Sequence, residues 1–147
     1  MNSVMVDKGI IMLANIFNLL VVGVFLSRSG GLRGIEWILG IIIALIALPV
    51  TMGIIVNVTA KRDWWTYVLP THLVLYCLLE FILDYVIKVD FRNTGFLWFY
   101  LILFYIASLG MIGYSFGVSR LAGFITLGTY LLGLLASWYS YSKIGHG

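Results

Sequence analysis

The stretch YVLPTHLVLYCLLEFILDYVIKV, residues 67–89, is one apolar run interrupted by Glu80, Asp84 and Lys88. A run of this length matches the roughly 20 apolar residues a helix needs to cross a hydrocarbon layer about 30 Å thick. Outward from it the pattern recurs at 9–27, 36–58, 94–116 and 119–141. Charged or turn-forming residues separate the runs: Arg28 to Arg33 with Gly30 and Gly31, then Lys61, Arg62 and Asp63, then Asp90 to Asn93, then the short Gly117 to Arg120. Such residues mark where a chain re-enters water. None of the runs alternates apolar with polar as barrel strands do, so each is expected to be a helix. The expectation is an all-α, polytopic integral membrane protein, a bundle of five transmembrane helices forming a single domain over 1–147.

Composition agrees. Of 147 residues, 62% are hydrophobic and 10% charged, against about 25% charged in an average soluble domain; the mean hydropathy is +1.06. A soluble fold of this length has too little interior to hide that much apolar surface. The formal charge of +3 comes from nine basic residues dispersed over several connectors, which argues for lipid headgroups and against nucleic acid, where clustering on one face is expected. Cys77 is the one cysteine, so neither an intramolecular disulfide nor a cysteine-based metal site is available. The first run lacks the basic leader and the small-residue cleavage site of a secretory signal and is expected to be retained.

Orientation is not set by charge. Lys8, Lys61, Arg62 and Arg120 fall on one side, and Arg28, Arg33, Lys88, Arg92 and Lys143 on the other. Four against five gives the positive-inside rule nothing to act on. Either one strong loop such as Lys61–Arg62 dominates, or the chain inserts both ways as an antiparallel dimer.

Glu80 is the first candidate for function. At about 1.5 Å per residue, a third helix centred near Leu78 puts Glu80 about 3 Å from the midplane, Asp84 about 9 Å and Lys88 about 15 Å. Asp84 and Lys88 have the spacing of an intrahelical ion pair, and Lys88 can snorkel to the interface. Glu80 has no such neighbour, and a carboxyl at that depth normally faces a partner or a water-filled cavity. It suits proton-coupled transport or, more plainly, a hydrogen bond that ties helices together. Matching depths across the other spans suggests a polar layer of Asn18, Glu80, Tyr105 and Tyr130, with Asn15 facing the same way as Asn18.

Other positions read as architecture. Pro49 is expected to kink the second helix and to serve as a hinge. Trp64 and Trp65 read, with Lys88, as interfacial anchors. Gly113 with Gly117, Gly40 with Ala44, Gly53 with Asn57 and Gly133 with Ser137 have the small-xxx-small spacing of close helix packing. The aromatic run Phe96, Trp98, Phe99, Tyr100, Phe104 and Tyr105 faces lipid or lines a pocket. His72 lies two turns before Glu80, about 12 Å along the axis, and the only other histidine, His146, is in the terminal tail, so a metal pair of His72 with Glu80 is not expected.

No phosphate loop, HExxH, GxSxG or cysteine pair is present. No cofactor is implied, and no catalytic residue. The leading expectation is a non-catalytic bundle that binds lipid or a partner membrane protein, itself or as a homo-oligomer. A proton-coupled transporter or channel using Glu80, possibly as a dimer, is the alternative, and an intramembrane enzyme the weakest reading.

Overall fold

The computed structural model describes residues 3–88 and 94–145. These form five helices, α1 (Ser3–Ser29), α2 (Arg33–Thr59), α3 (Trp65–Phe81), α4 (Phe96–Val118) and α5 (Arg120–Ile144). A π-helical segment, Ile82–Ile87, continues α3. Five helical stretches are long and apolar enough to cross a membrane, the third being α3 together with its π extension. The ends differ from the sequence reading: α1 begins at Ser3 rather than Gly9, which brings Asp7 and Lys8 inside the helix, and α3 begins at Trp65. The expected break at Asp90–Asn93, the end of the third run at Val89, and His146 lie outside the described residues.

The helices form a closed ring. Each packs against its neighbours in the chain, and α1 closes on α5. Short connectors enforce this order, because consecutive helices joined by a few residues must run antiparallel side by side. The tightest joint is Ser119 between α4 and α5: its backbone is extended and its hydroxyl accepts a hydrogen bond from the Ala122 N–H, capping α5. That cap satisfies one of the orphan donors at a helix start.

Aromatic side chains fill the ring. Phe17 of α1 meets Tyr76 of α3 edge-on at 5.7 Å between ring centres, and Phe104 of α4 completes the group 5.3 Å from Tyr76. Large apolar residues instead cover the outside, with Leu121 and Trp138 more than 70% exposed. The aromatic run of α4 divides accordingly: Trp98 and Phe99 face out, while Tyr100 and Phe104 pack on the core.

Pro49 does not interrupt its helix. α2 is continuous from Arg33 to Thr59 and Pro49 lies on its exposed outer face, so the residue opens no gap toward the core. The paired tryptophans also separate. Trp64 is exposed, as is Lys88, but Trp65 turns inward onto Tyr114 with ring centres 5.4 Å apart. Gly117 makes room for that ring, which lies 3.0 Å from where a Cβ would stand. The Gly113–Gly117 pair thus receives side chains of α3 rather than a helix backbone.

Candidate functional site

Polar side chains gather at three levels of the ring. At the end where α1 begins, Asp7 accepts two hydrogen bonds from the Arg62 guanidinium, at 2.7 and 2.9 Å. The Tyr114 hydroxyl donates a third to the same carboxylate at 2.6 Å, and Arg62 also donates to Asn57 Oδ1 at 2.8 Å. Asn57 in turn donates to the Thr66 carbonyl at 2.9 Å. Four elements are thereby joined around one carboxylate. Hydrogen bonding to Asp7 raises the Arg62 pKa above its ordinary range, against the opposing pull of burial. In the sequence Asp7 merely precedes the first apolar run and Arg62 sits in a connector; the available signal is that opposite charges fall on the same side of an alternating bundle.

Midway, α1 is tied to α5. Asn15 donates to Thr126 Oγ1 at 3.1 Å and accepts from Thr129 Oγ1 at 2.8 Å, while Asn18 donates to Thr129 Oγ1 at 3.0 Å. Thr126 passes the chain on to Ser115 of α4 at 2.9 Å. This corrects the expected polar layer. Asn15 and Asn18 do face one way, as their spacing required, but toward α5 threonines; Glu80 lies elsewhere, and Tyr105 is exposed beside half-buried Tyr130. Depth matching failed because it ignored which side of each helix faces the ring.

At the opposite end a cavity of about 330 Å³ lies between α1, α2 and the end of α3. Its charged lining is Arg28, Arg33, Glu36, Glu80 and Asp84. Arg28 donates from Nε and Nη2 to the same oxygen of Glu36, at 2.9 and 2.8 Å. Glu36 is also in the first turn of α2, where the helix dipole favours a carboxylate. Glu80 is 9% exposed and so is the most deeply set of these groups. The isolation implied by its position along α3 gives way here: it shares a cavity with residues from the ends of α1 and α2.

The π segment positions the far wall. Regular α-winding stops at Phe81, and Lys88 leaves the segment with φ +55°, its N–H bonded to the Leu83 carbonyl. The four-residue register assumed for an Asp84–Lys88 ion pair therefore does not continue. Tyr85 instead swings against α2, where its hydroxyl donates to the Trp37 carbonyl at 2.8 Å. Gly40 is what admits it, since a Cβ there would collide with the Tyr85 hydroxyl.

Two further residues have local roles. His72 Nδ1 lies 2.9 Å from the Val68 carbonyl one turn back, and Cys77 is fully buried. Among the described residues no three His, Cys, Asp or Glu side chains group as a metal site. What the residues define is a closed ring of five helices, tied by bonded polar groups at one end and midway, with a charged cavity at the other. Comparison with protein-family models, curated proteins and solved structures finds no match for this chain.

Proposed function

We propose that the protein is an integral, multi-pass membrane bundle that works by binding a lipid or a partner membrane protein, with the Glu80 cavity as its polar contact site. Its apolar exterior supports the placement, since an outer surface of Leu, Ile, Phe and Trp is what lipid solvates. One observation carries the binding reading over conduction. Between the two charged ends the ring is filled, with Phe17, Leu73, Tyr76, Cys77, Ala107 and Met111 each no more than 3% exposed. A site reached from one end and stopped by a packed core suits capture better than passage.

The second reading, proton-coupled transport, draws on the π winding beside Glu80 and Asp84. Such segments are frequent at functional sites. In that reading Glu80 exchanges a proton for a solute, and a second copy helps enclose the route.

Cys77 separates the two, being in the packed core three residues before Glu80. Sealed membranes are exposed to a small water-soluble maleimide and labelling is scored by mass. Protection until detergent unfolding is the expected result. Rapid labelling that slows when pH changes or Glu80 is blocked would replace the binding reading with transport.

A further inference from the structure

We infer that the cleft between α1 and the α4–α5 joint holds one acyl chain of a phospholipid whose headgroup is net negative, with the anion at Lys8. The inference rests on the bilayer placement proposed above and concerns the end of the bundle opposite the Glu80 cavity.

The cleft has a volume of about 670 Å³, within the roughly 300–1,000 Å³ of small-molecule sites. Its depth order follows from the register of two helices. Asn15 bonds Thr126 and Asn18 bonds Thr129, a constant offset of 111 residues. Helices α1 and α5 therefore run parallel, and Lys8 stands level with Ser119, the residue that caps α5. Charge is confined to that level, with Asp7 and Lys8 on α1 and Arg62 bonded to Asp7. Val4 extends the α1 wall outward past them. Deeper in the bundle the walls are apolar, Ile11 and Met12 on one side and Leu121 and Ile125 on the other. From the level of Lys8 to that of Ile125 is about 9 Å along the axis. Met12, Leu121 and Ile125 are each more than half exposed, so the deep part opens sideways to lipid. This is the order of a phospholipid, headgroup at the surface and chain inward.

Lys8 selects the headgroup. Asp7 is the one acid on the lining, and its carboxylate is held by Arg62 and Tyr114. Asp7 and Arg62 cancel, which leaves the cleft the charge of Lys8, exposed and without an ion pair among the described residues. Lys61 and Arg120 add cations to the same end, against exposed Asp63. An anion meets an unpaired ammonium there, whereas the cation of a zwitterionic headgroup meets no free carboxylate on the lining. Basic pockets between membrane helices hold anionic headgroups on this principle. Exposed Trp64 stands at the same end, and tryptophan marks the interface where headgroups lie.

The test uses the full chain, purified in detergent and titrated with phosphatidylglycerol or phosphatidylcholine carrying the same acyl chains. Bound lipid is counted by native mass spectrometry. Phosphatidylglycerol should bind in preference, and Lys8→Gln should weaken it about fivefold, the contribution of one basic residue at an anionic surface. Lys61→Gln removes an equal charge from the same end but outside the lining, and should leave binding nearly as it was. Ala122→Phe, which puts a ring between the apolar walls, should remove the site; if that variant does not fold, the comparison of Lys8 with Lys61 decides. Equal affinity for both lipids, or equal loss from Lys8→Gln and Lys61→Gln, overturns the inference. So does a dimer that excludes the lipid and is broken by Ala122→Phe, which would give the cleft to a second copy. Alkaline extraction of membranes run in parallel keeps the two readings apart. Failure of the lipid test in a protein that stays in the membrane pellet sinks only this site, whereas release by alkali overturns the bilayer placement as well.

Discussion

Asp7 shows how much one side chain contributes when the chain brings others to it. Its carboxylate receives Arg62 and Tyr114, and the Arg62 and Asp7 side chains are only 20% and 10% exposed. Removing one partner of a buried pair leaves the other charge uncompensated, at about 3 to 5 kcal/mol for full burial. The partial exposure of Arg62 reduces this, so Asp7→Ala is expected to cost about 2 to 3 kcal/mol. Tyr114→Phe removes one hydrogen bond to a charged acceptor, about 1.5 to 3 kcal/mol. Thermal unfolding of the purified protein in detergent measures both, and an Asp7→Ala protein that melts with the wild type would exclude the cluster as a structural tie. The pH behaviour follows from Arg62. Its folded pKa is raised, so its stabilisation is complete below the ordinary arginine range and is lost only as pH climbs through the folded value. Between pH 5 and 9 that contribution should leave the melting temperature unchanged.

The helices themselves were readable because a long apolar run has few other outcomes. All five runs became helices; the Lys61–Asp63 break fell in a connector, whereas of the Arg28–Arg33 break only residues 30–32 did, Arg28 falling in the last turn of α1 and Arg33 starting α2. Winding and facing were not readable. Nothing in Ile82–Ile87 forbids α-helix; the π form accompanies Tyr85 reaching the Trp37 carbonyl, a contact between residues far apart in the chain. Glu80 was legible as an unusual residue because burying a carboxylate is expensive wherever it falls, yet its cavity was not, since Arg28, Arg33 and Glu36 join it only through packing. The contact of Gly40 with Tyr85 can be isolated by a double-mutant cycle. Gly40→Ala alone should destabilise by about 1 to 3 kcal/mol through overpacking. With Tyr85→Ala already present, most of that cost should vanish, a coupling of about 1 kcal/mol or more. Additive effects in thermal unfolding would show that Tyr85 is not what Gly40 accommodates.

At the scale of the whole molecule, an odd number of antiparallel helices has a consequence that no single residue carries. The α1–α2 turn with Gly31 and the α2–α3 turn with Lys61 lie at opposite ends of the ring, as do the starts of α1 and α4. In the proposed bilayer placement these turns face different compartments. The balance of four Lys and Arg against five does not choose which, and the ion pairs of Arg62 and Arg28 leave both ends with further cations, Lys8 and Arg120 at one and Arg33 and Lys143 at the other. Single cysteines introduced as Gly31→Cys or Lys61→Cys on a Cys77→Ala background test this directly. In sealed, uniformly oriented vesicles an impermeant maleimide should label one position fully and leave the other protected until the membrane is permeabilised. Labelling near one half at both positions would reveal insertion in both orientations, which the near-even charge count permits and which preserves five crossings. Full labelling of both, or protection of both, would place the two turns in one compartment, and the five-crossing bundle would have to be abandoned.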